Sequence, residues 1–106
     1  MGLLIKQTDS KRIHILGTPI EVSSLYARIR WAGDFTGRRI EFETVTWYDV
    51  ETCKMGGQNI LTDVPIGGTS LELKEGEKQT VDQALICAKE YFDSLGYETE
   101  VTKDLD

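Results

Sequence analysis

The region 24–48 constrains the fold of this chain more than any other part of its sequence. Apolar and polar residues alternate with a period of two at 25–31 and again at 40–45. This alternation indicates two β-strands, each with one buried face. Between the two runs, Asp34 and Gly37 fit the first and fourth positions of a type I turn. The sequence therefore predicts an antiparallel hairpin.

The charged residues of the hairpin predict how its strands are aligned. We expect Arg30 opposite Glu41 and Arg28 opposite Glu43, because opposite charges then face each other on one side of the sheet. The other side then holds only core pairs, namely Trp31 with Ile40, Ile29 with Phe42 and Ala27 with Thr44. A shift of two residues toward the turn would instead place Arg30 opposite Arg39.

The clearest helix signal lies near the C-terminal end of the sequence. Thr80 followed by Gln83 matches a capping box, and Gly96 stands where a left-handed C-terminal cap is expected. Between them the apolar residues follow the spacing of one helix face: Val81, Ala84, Leu85, Ala88, Tyr91, Phe92 and Leu95. We predict a helix over 80–95, followed by a short strand in which Tyr97, Thr99 and Val101 alternate.

The remaining segments complete an α+β fold. Further strands are indicated at 3–7, at 13–22 as an edge strand or bulge around Pro19, at 59–64 and at 69–73, whereas 49–57 has no firm period. We predict an antiparallel, twisted β-sheet of about five strands with one C-terminal α-helix packed on one face. Residues 1–106 form a single domain by length, with 103–106 as a frayed tail.

Net charge and hydropathy argue against a nucleic-acid-binding protein and against a membrane protein. The 106 residues carry a formal net charge of −6, opposite to the balance typical of proteins that grip nucleic-acid backbones. The N-terminal residues lack the long apolar stretch of a signal peptide, and no run approaches the length of a spanning helix. We therefore expect a protein that is cytoplasmic when produced and binds neither nucleic acid nor membrane.

Reactive and metal-binding side chains are sparse. The chain has one histidine, His14, and two cysteines, Cys53 and Cys87, which form no closely spaced pair of zinc ligands. We expect no metal, no cofactor and no enzymatic activity; were the chain an enzyme, Cys53 and His14 would be the candidate reactive groups. Reduced thiols are expected, although the spacing leaves a Cys53–Cys87 disulfide open.

One cluster points to a protein partner. In the predicted hairpin, Tyr26, Val45 and Trp47 share the outward face, beside the charged residues Arg28 and Arg30. Trp, Tyr and Arg are the residues most enriched at the energetic centres of protein interfaces. Two interpretations stay open: a partner binds this cluster, or the segment 49–61 or the N-terminal strand folds over it.

Several segments resemble the small proteins of tailed-phage and prophage structural gene modules. They are GTPIEVSSLYARIRW, TVTWYD, VPIGGTSLEL and QTVDQALICAKEYFDSLGYE, which lie between residues 17 and 98. The resemblance implies a non-enzymatic tail, connector or baseplate component that works as an oligomer or docks to a larger partner, associated with the virion. The alternative is a small binding module for a peptide or small molecule, with its site between helix and sheet or at an exposed sheet edge.

Overall fold

The computed structural model describes residues 2–102, so the predicted frayed tail at 103–106 lies outside the described residues. Five strands and two helices follow one another along the chain. They are β1 (Gly2–Lys6), β2 (Ser24–Gly33), β3 (Arg39–Trp47), α1 (Val50–Lys54), β4 (Thr69–Glu72), α2 (Val81–Ser94) and β5 (Glu98–Thr102).

The strands form one antiparallel sheet in the order β4-β3-β2-β1-β5. The chain therefore has the predicted α+β architecture, with α2 as the predicted C-terminal helix. The short helix α1 is an addition that the sequence pattern did not reveal. The N-terminal strand β1 lies between β2 and the last strand, which brings the two ends of the described chain together.

The core lies between α2 and one face of the sheet. Every second residue of the three central strands points into it, as the alternating pattern requires. These residues share one buried cluster with the apolar face of the helix: Leu3, Ile5, Leu25, Ala27, Ile40, Phe42, Ala84, Cys87, Ala88 and Phe92. The residues between these core positions point to the opposite face of the sheet. That face holds the predicted interface cluster.

Local chemistry sets the two ends of α2. The Thr80 hydroxyl accepts a hydrogen bond from the Gln83 N–H at 3.1 Å, as the capping signal predicts. The Gln83 side chain donates to Glu77, and among the described residues it accepts no hydrogen bond from the Thr80 N–H, so only one half of the capping box forms. Gly96 follows the helix with a φ of +105°, a left-handed conformation that glycine adopts without steric cost.

The predicted alignment of the hairpin was wrong by two residues. Arg30 lies opposite Glu43, Arg28 lies opposite Val45, and Trp31 lies opposite Phe42. A slip of two residues keeps every side chain on its predicted face, because side chains alternate with a period of two. The charge pattern also tolerates the slip, since Arg30 still faces a glutamate.

The turn and a distant glutamine fix the observed alignment. The Gly37 N–H donates to the Asp34 carbonyl at 3.3 Å, which confirms the turn, and Gly37 has a φ of +75°. The Asp34 N–H donates to the Arg39 carbonyl at 3.4 Å and closes the loop. Gln79, just before α2, donates to both carbonyls, at 2.9 Å to Asp34 and 2.8 Å to Arg39.

Two of the predicted strands do not form. The segment 13–22 makes only isolated bridges, from His14 to Glu21 and from Ile15 to Thr62, because Gly17 and Pro19 interrupt it. The segment 59–64 is likewise irregular and donates one backbone hydrogen bond to β3, from Ile60 to Thr46 at 2.9 Å.

Candidate functional site

The structure brings the five predicted interface residues together on the sheet face opposite α2. Tyr26 on β2 lies opposite Trp47 on β3, and Arg28 lies opposite Val45, with Arg30 two residues farther along. The Tyr26 and Trp47 ring centroids are 6.4 Å apart, with the ring planes tilted by 40°. We call these five residues the Trp47 surface.

Tyr26 forms the floor of this surface rather than part of its exposed area. Its side chain is completely buried, and a Cβ atom at Gly2 would overlap its ring. The N-terminal strand therefore covers Tyr26, as one of the two open interpretations anticipated. A partner would contact Trp47, Val45 and the two arginines, and Tyr26 would support Trp47 from within the chain.

Trp47 is held in a fixed position but keeps part of its ring exposed. Its indole Nε1–H donates to the Gly57 carbonyl at 3.0 Å. The segment after β3 thus contacts the edge of Trp47 without enclosing the side chain. A fixed aromatic ring at a surface loses little conformational entropy when a partner binds.

The short helix α1 sets the position of Gly57. Asp49 caps this helix by accepting from the Thr52 N–H at 2.8 Å and from the Thr52 hydroxyl at 2.7 Å. These two hydrogen bonds lower the pKa of the Asp49 carboxyl below its ordinary value. A Cβ atom at Gly57 would contact the Thr52 side chain at 2.8 Å, so glycine allows this close packing.

Charges of both signs lie on the same sheet face as Trp47. Arg30 and Glu43 form an ion pair at 3.5 Å, with both side chains more than half exposed. Lys6 and Glu100 form a second pair at 3.6 Å on strands β1 and β5. Exposed pairs of this kind contribute little to stability. Their greater effect is on the alignment of the strands and on the choice of a partner.

The two candidate reactive groups lie in different surroundings. His14 Nδ1 lies 3.3 Å from the Asp63 carboxylate, and the His14 N–H donates to the same carboxylate at 3.0 Å. Cys53 lies on α1 and is partly exposed, whereas Cys87 lies on the buried face of α2; both are free thiols. Within residues 2–102, no hydrogen bond joins Cys53 to His14.

An exposed sheet edge is one of the two locations expected for the site of a binding module, and the sequence pattern does not indicate which strand forms that edge. The structure shows two edges, β4 and β5. At β5, Lys89 of α2 donates to the Thr99 carbonyl and to its hydroxyl, both at 3.1 Å. At β4, the side chains of Ser70 and Glu72 are exposed. The chain thus has one edge covered by a lysine and one open edge.

The described residues contain no group of three or more histidine, cysteine, aspartate or glutamate side chains that could hold a metal ion. None of the helices within residues 2–102 has the length and apolar character needed to cross a membrane.

Comparison with protein-family models, with curated proteins and with solved structures gives no match to this chain. The class that the structure defines is an α+β protein with a five-stranded antiparallel sheet and one helix-covered face.

Proposed function

We propose that this chain is a non-enzymatic structural or assembly protein that docks to a larger protein partner through the Trp47 surface and associates with further copies of itself. The observation that carries the proposal is Trp47 itself, an aromatic side chain fixed by Gly57 and supported by the buried Tyr26. Interface energy is concentrated in such aromatic anchors.

The arginines of the Trp47 surface support the same proposal. Arg28 and Arg30 are exposed on the same sheet face as the indole ring, and arginine is the third residue type enriched at interface centres. The exposed glutamates on the same face, Glu41 and Glu43, add charges of the opposite sign. A partner of mixed charge would therefore be selected over a uniformly acidic or basic one.

The place of action that we propose is the virion or tail of a phage or prophage. The resemblance of residues 17–98 to proteins of tailed-phage structural modules supports it, because such proteins work in oligomeric assemblies. Arg28, Arg30 and Trp47 all lie within the resembling region.

The experiment compares two single-residue variants of the tagged full chain. Trp47→Ala removes the anchor, and Tyr48→Ala is the matched control because Tyr48 is the adjacent aromatic residue and is 60% exposed. Each protein is expressed in cells that produce the natural assembly, and the captured proteins are identified. The candidate partner is then purified and its affinity for each variant is measured.

We expect a partner that the unchanged chain and Tyr48→Ala both retain and that Trp47→Ala loses. The measured affinity of Trp47→Ala should be lower by about 30-fold, the effect of removing an interface anchor worth about 2 kcal/mol. Circular dichroism must show that the variant is folded. An identical set of captured proteins for all three chains contradicts docking through Trp47.

A binding module is the second candidate function, and one depression in the sheet favours it. The depression borders Gly68 before β4 and is lined by residues of β2 and β3: Arg30, Trp31, Ala32, Glu41, Phe42 and Glu43. A small ligand that fits there should raise the melting temperature of the chain with increasing concentration. The test is a panel of metabolites and short peptides. If none of them shifts the melting temperature, this alternative is wrong.

A further inference from the structure

The hydrogen-bond pattern of the sheet shows which backbone groups face outward at β4. The Leu73 N–H donates to the Arg38 carbonyl at 2.6 Å, just beyond the paired residues of β3 and β4. In an antiparallel pair, residues alternate between those that exchange hydrogen bonds with the neighbouring strand and those that point away from it. The N–H and C=O groups of Ser70 and Glu72 therefore point to the open edge.

The open edge is short and carries the charge of Glu72, but within residues 2–102 it lacks the proline, the lysine and the covering segment that block many natural sheet edges. Exposed edges are usually blocked by proline, by lysine or by a covering segment, since a free row of backbone groups pairs readily with another strand. The four residues of β4, Thr-Ser-Leu-Glu, include neither proline nor lysine. Within residues 2–102, no backbone hydrogen bond reaches the outward groups of Ser70 and Glu72.

We propose that a second copy of this chain pairs with β4 in antiparallel orientation and joins the two sheets into one ten-stranded sheet. The symmetric alignment has its two-fold axis at Leu71, which places Ser70 opposite Glu72 of the partner subunit. In this alignment the outward groups of Ser70 and Glu72 meet the outward groups of the copy, as an isologous interface requires. The inference rests on the self-association in the proposed function.

Charge complementarity selects a second copy as the occupant. Arg39 on β3 lies over Ser70, with Nη2 and Nε at 2.9 and 3.1 Å from the Ser70 hydroxyl. Glu72 of the same chain lies opposite Arg39 in the sheet, but among the residues that the structure describes no carboxylate is within ion-pair distance of Arg39. Pairing places Glu72 of the partner subunit beside Ser70, on the sheet face that carries Arg39. Each copy then supplies a carboxylate to the other copy's arginine.

Leu71 adds an apolar contact on the opposite side of the sheet. It is partly exposed and packs at the border of the core. The two-fold axis places it directly against Leu71 of the partner subunit. The paired segment is short, so the dimer is expected to be weak and to form with increasing concentration.

The test uses a matched pair of variants at one position. Ser70→Pro removes the outward N–H, which β3 does not use, and proline is tolerated on an edge strand in that orientation. Ser70→Ala keeps this N–H and removes only the hydroxyl. The mass of each full-length protein is measured by light scattering behind a sizing column as the concentration is raised.

We expect the unchanged chain and Ser70→Ala to form dimers over the same concentration range. Ser70→Pro should raise the dissociation constant of the dimer by about tenfold or more, because two backbone hydrogen bonds of the symmetric pair are lost. A chain that stays monomeric at every concentration overturns the proposal. So does a dimer that Ser70→Pro leaves unchanged.

A second measurement needs no variant and applies even if Ser70→Pro fails to fold. Amide hydrogen exchange of Ser70 and Glu72 in the unchanged chain should slow as the concentration rises, while the exchange of Leu25 and Ala27 in β2 stays constant. Exchange at Ser70 and Glu72 that is independent of concentration in a sample that dimerises places the interface elsewhere. Failure of docking through Trp47 is detected separately by the Trp47→Ala comparison, which leaves β4 unaltered.

Discussion

The two edges of the sheet expose backbone groups to different surroundings. At β5 the outward residue Thr99 is buried, and its carbonyl accepts from the ammonium of Lys89. At β4 the outward residues Ser70 and Glu72 are exposed, and Arg39 contacts the Ser70 hydroxyl rather than the backbone. The chain therefore protects one edge and leaves the other available.

The protection at β5 is a network and not a single contact. Lys89 Nζ lies 2.9 Å from the Asp93 carboxylate, and the Thr99 hydroxyl donates to the same carboxylate at 2.6 Å. Three side chains from α2 and β5 thus hold one another over the edge. The position of α2 explains the asymmetry, since Lys89 and Asp93 in its C-terminal half contact β5, whereas β4 is the opposite edge strand of the sheet.

The largest effect is expected from Thr99→Val at the covered edge. This change keeps the shape of a buried side chain and removes the hydroxyl that joins Lys89 to Asp93. The free energy of unfolding should fall by about 1–2 kcal/mol, because the lost hydrogen bonds involve charged partners. Ser70→Ala at the open edge is the control, and its exposed hydroxyl should change stability by less than about 0.5 kcal/mol. Equal losses in urea unfolding would show that the two edges do not differ.

A smaller loss of stability, with a change in assembly, is expected from Lys89→Met. Methionine keeps an unbranched side chain of similar length and removes the ammonium group, so the outward carbonyl of Thr99 becomes accessible. Stability should fall by less than about 1 kcal/mol, since the ion pair is partly exposed. With two open edges, the average mass in light scattering should rise beyond that of a dimer.

Lys78→Met is the matched control for this variant, because it makes the same charge change at an exposed lysine outside the strands and helices. The average mass of Lys78→Met in light scattering should equal that of the unchanged chain at each concentration. If Lys89→Met also has the average mass of the unchanged chain, Lys89 does not protect the β5 edge.

Some elements of this chain begin or end at residues whose own side chains or backbone conformation mark the boundary. These elements could be predicted from the sequence. Thr80 and Gly96 mark the ends of α2, and Asp34 with Gly37 marks the hairpin turn. The sequence around Asp49 also contains a helix cap, followed by Glu51 in the first turn, but α1 is too short to show an apolar period. Its cap was the signal that could have revealed it.

The elements that depend on distant residues could not be predicted in the same way. The alignment of β2 with β3 satisfies the alternation rule at any shift of two residues, and Gln79, which binds the turn carbonyls of Asp34 and Arg39, lies far away in sequence. The burial of Tyr26 likewise depends on β1 crossing its ring. The difference between the two edges requires the strand order, because no local pattern shows that Lys89 reaches Thr99.

The smallest expected effect is a dependence of stability on pH at the covered edge. Burial raises the pKa of the Asp93 carboxyl, but hydrogen bonds from Thr99 and Lys89 and the charge of Lys89 outweigh it, so the pKa lies below its ordinary value of 3.8. A lowered pKa in the folded state means that the folded chain releases the Asp93 proton more readily than the unfolded chain does. The stabilisation is then complete above the pKa of the unfolded chain and is lost as pH falls through the folded pKa.

Thr99→Val should reduce this dependence on pH, because it removes one of the groups that lower the Asp93 pKa, whereas Ser70→Ala should leave it unchanged. The measurement is urea unfolding of the three proteins at a series of pH values from neutral to below the pKa of an unfolded aspartate, about 3.9. The Asp93 side chain is 40% exposed, so solvent screening keeps the difference small. Parallel curves for the unchanged chain and Thr99→Val would show that Asp93 is not coupled to the β5 edge, and Lys89 alone would then account for its protection.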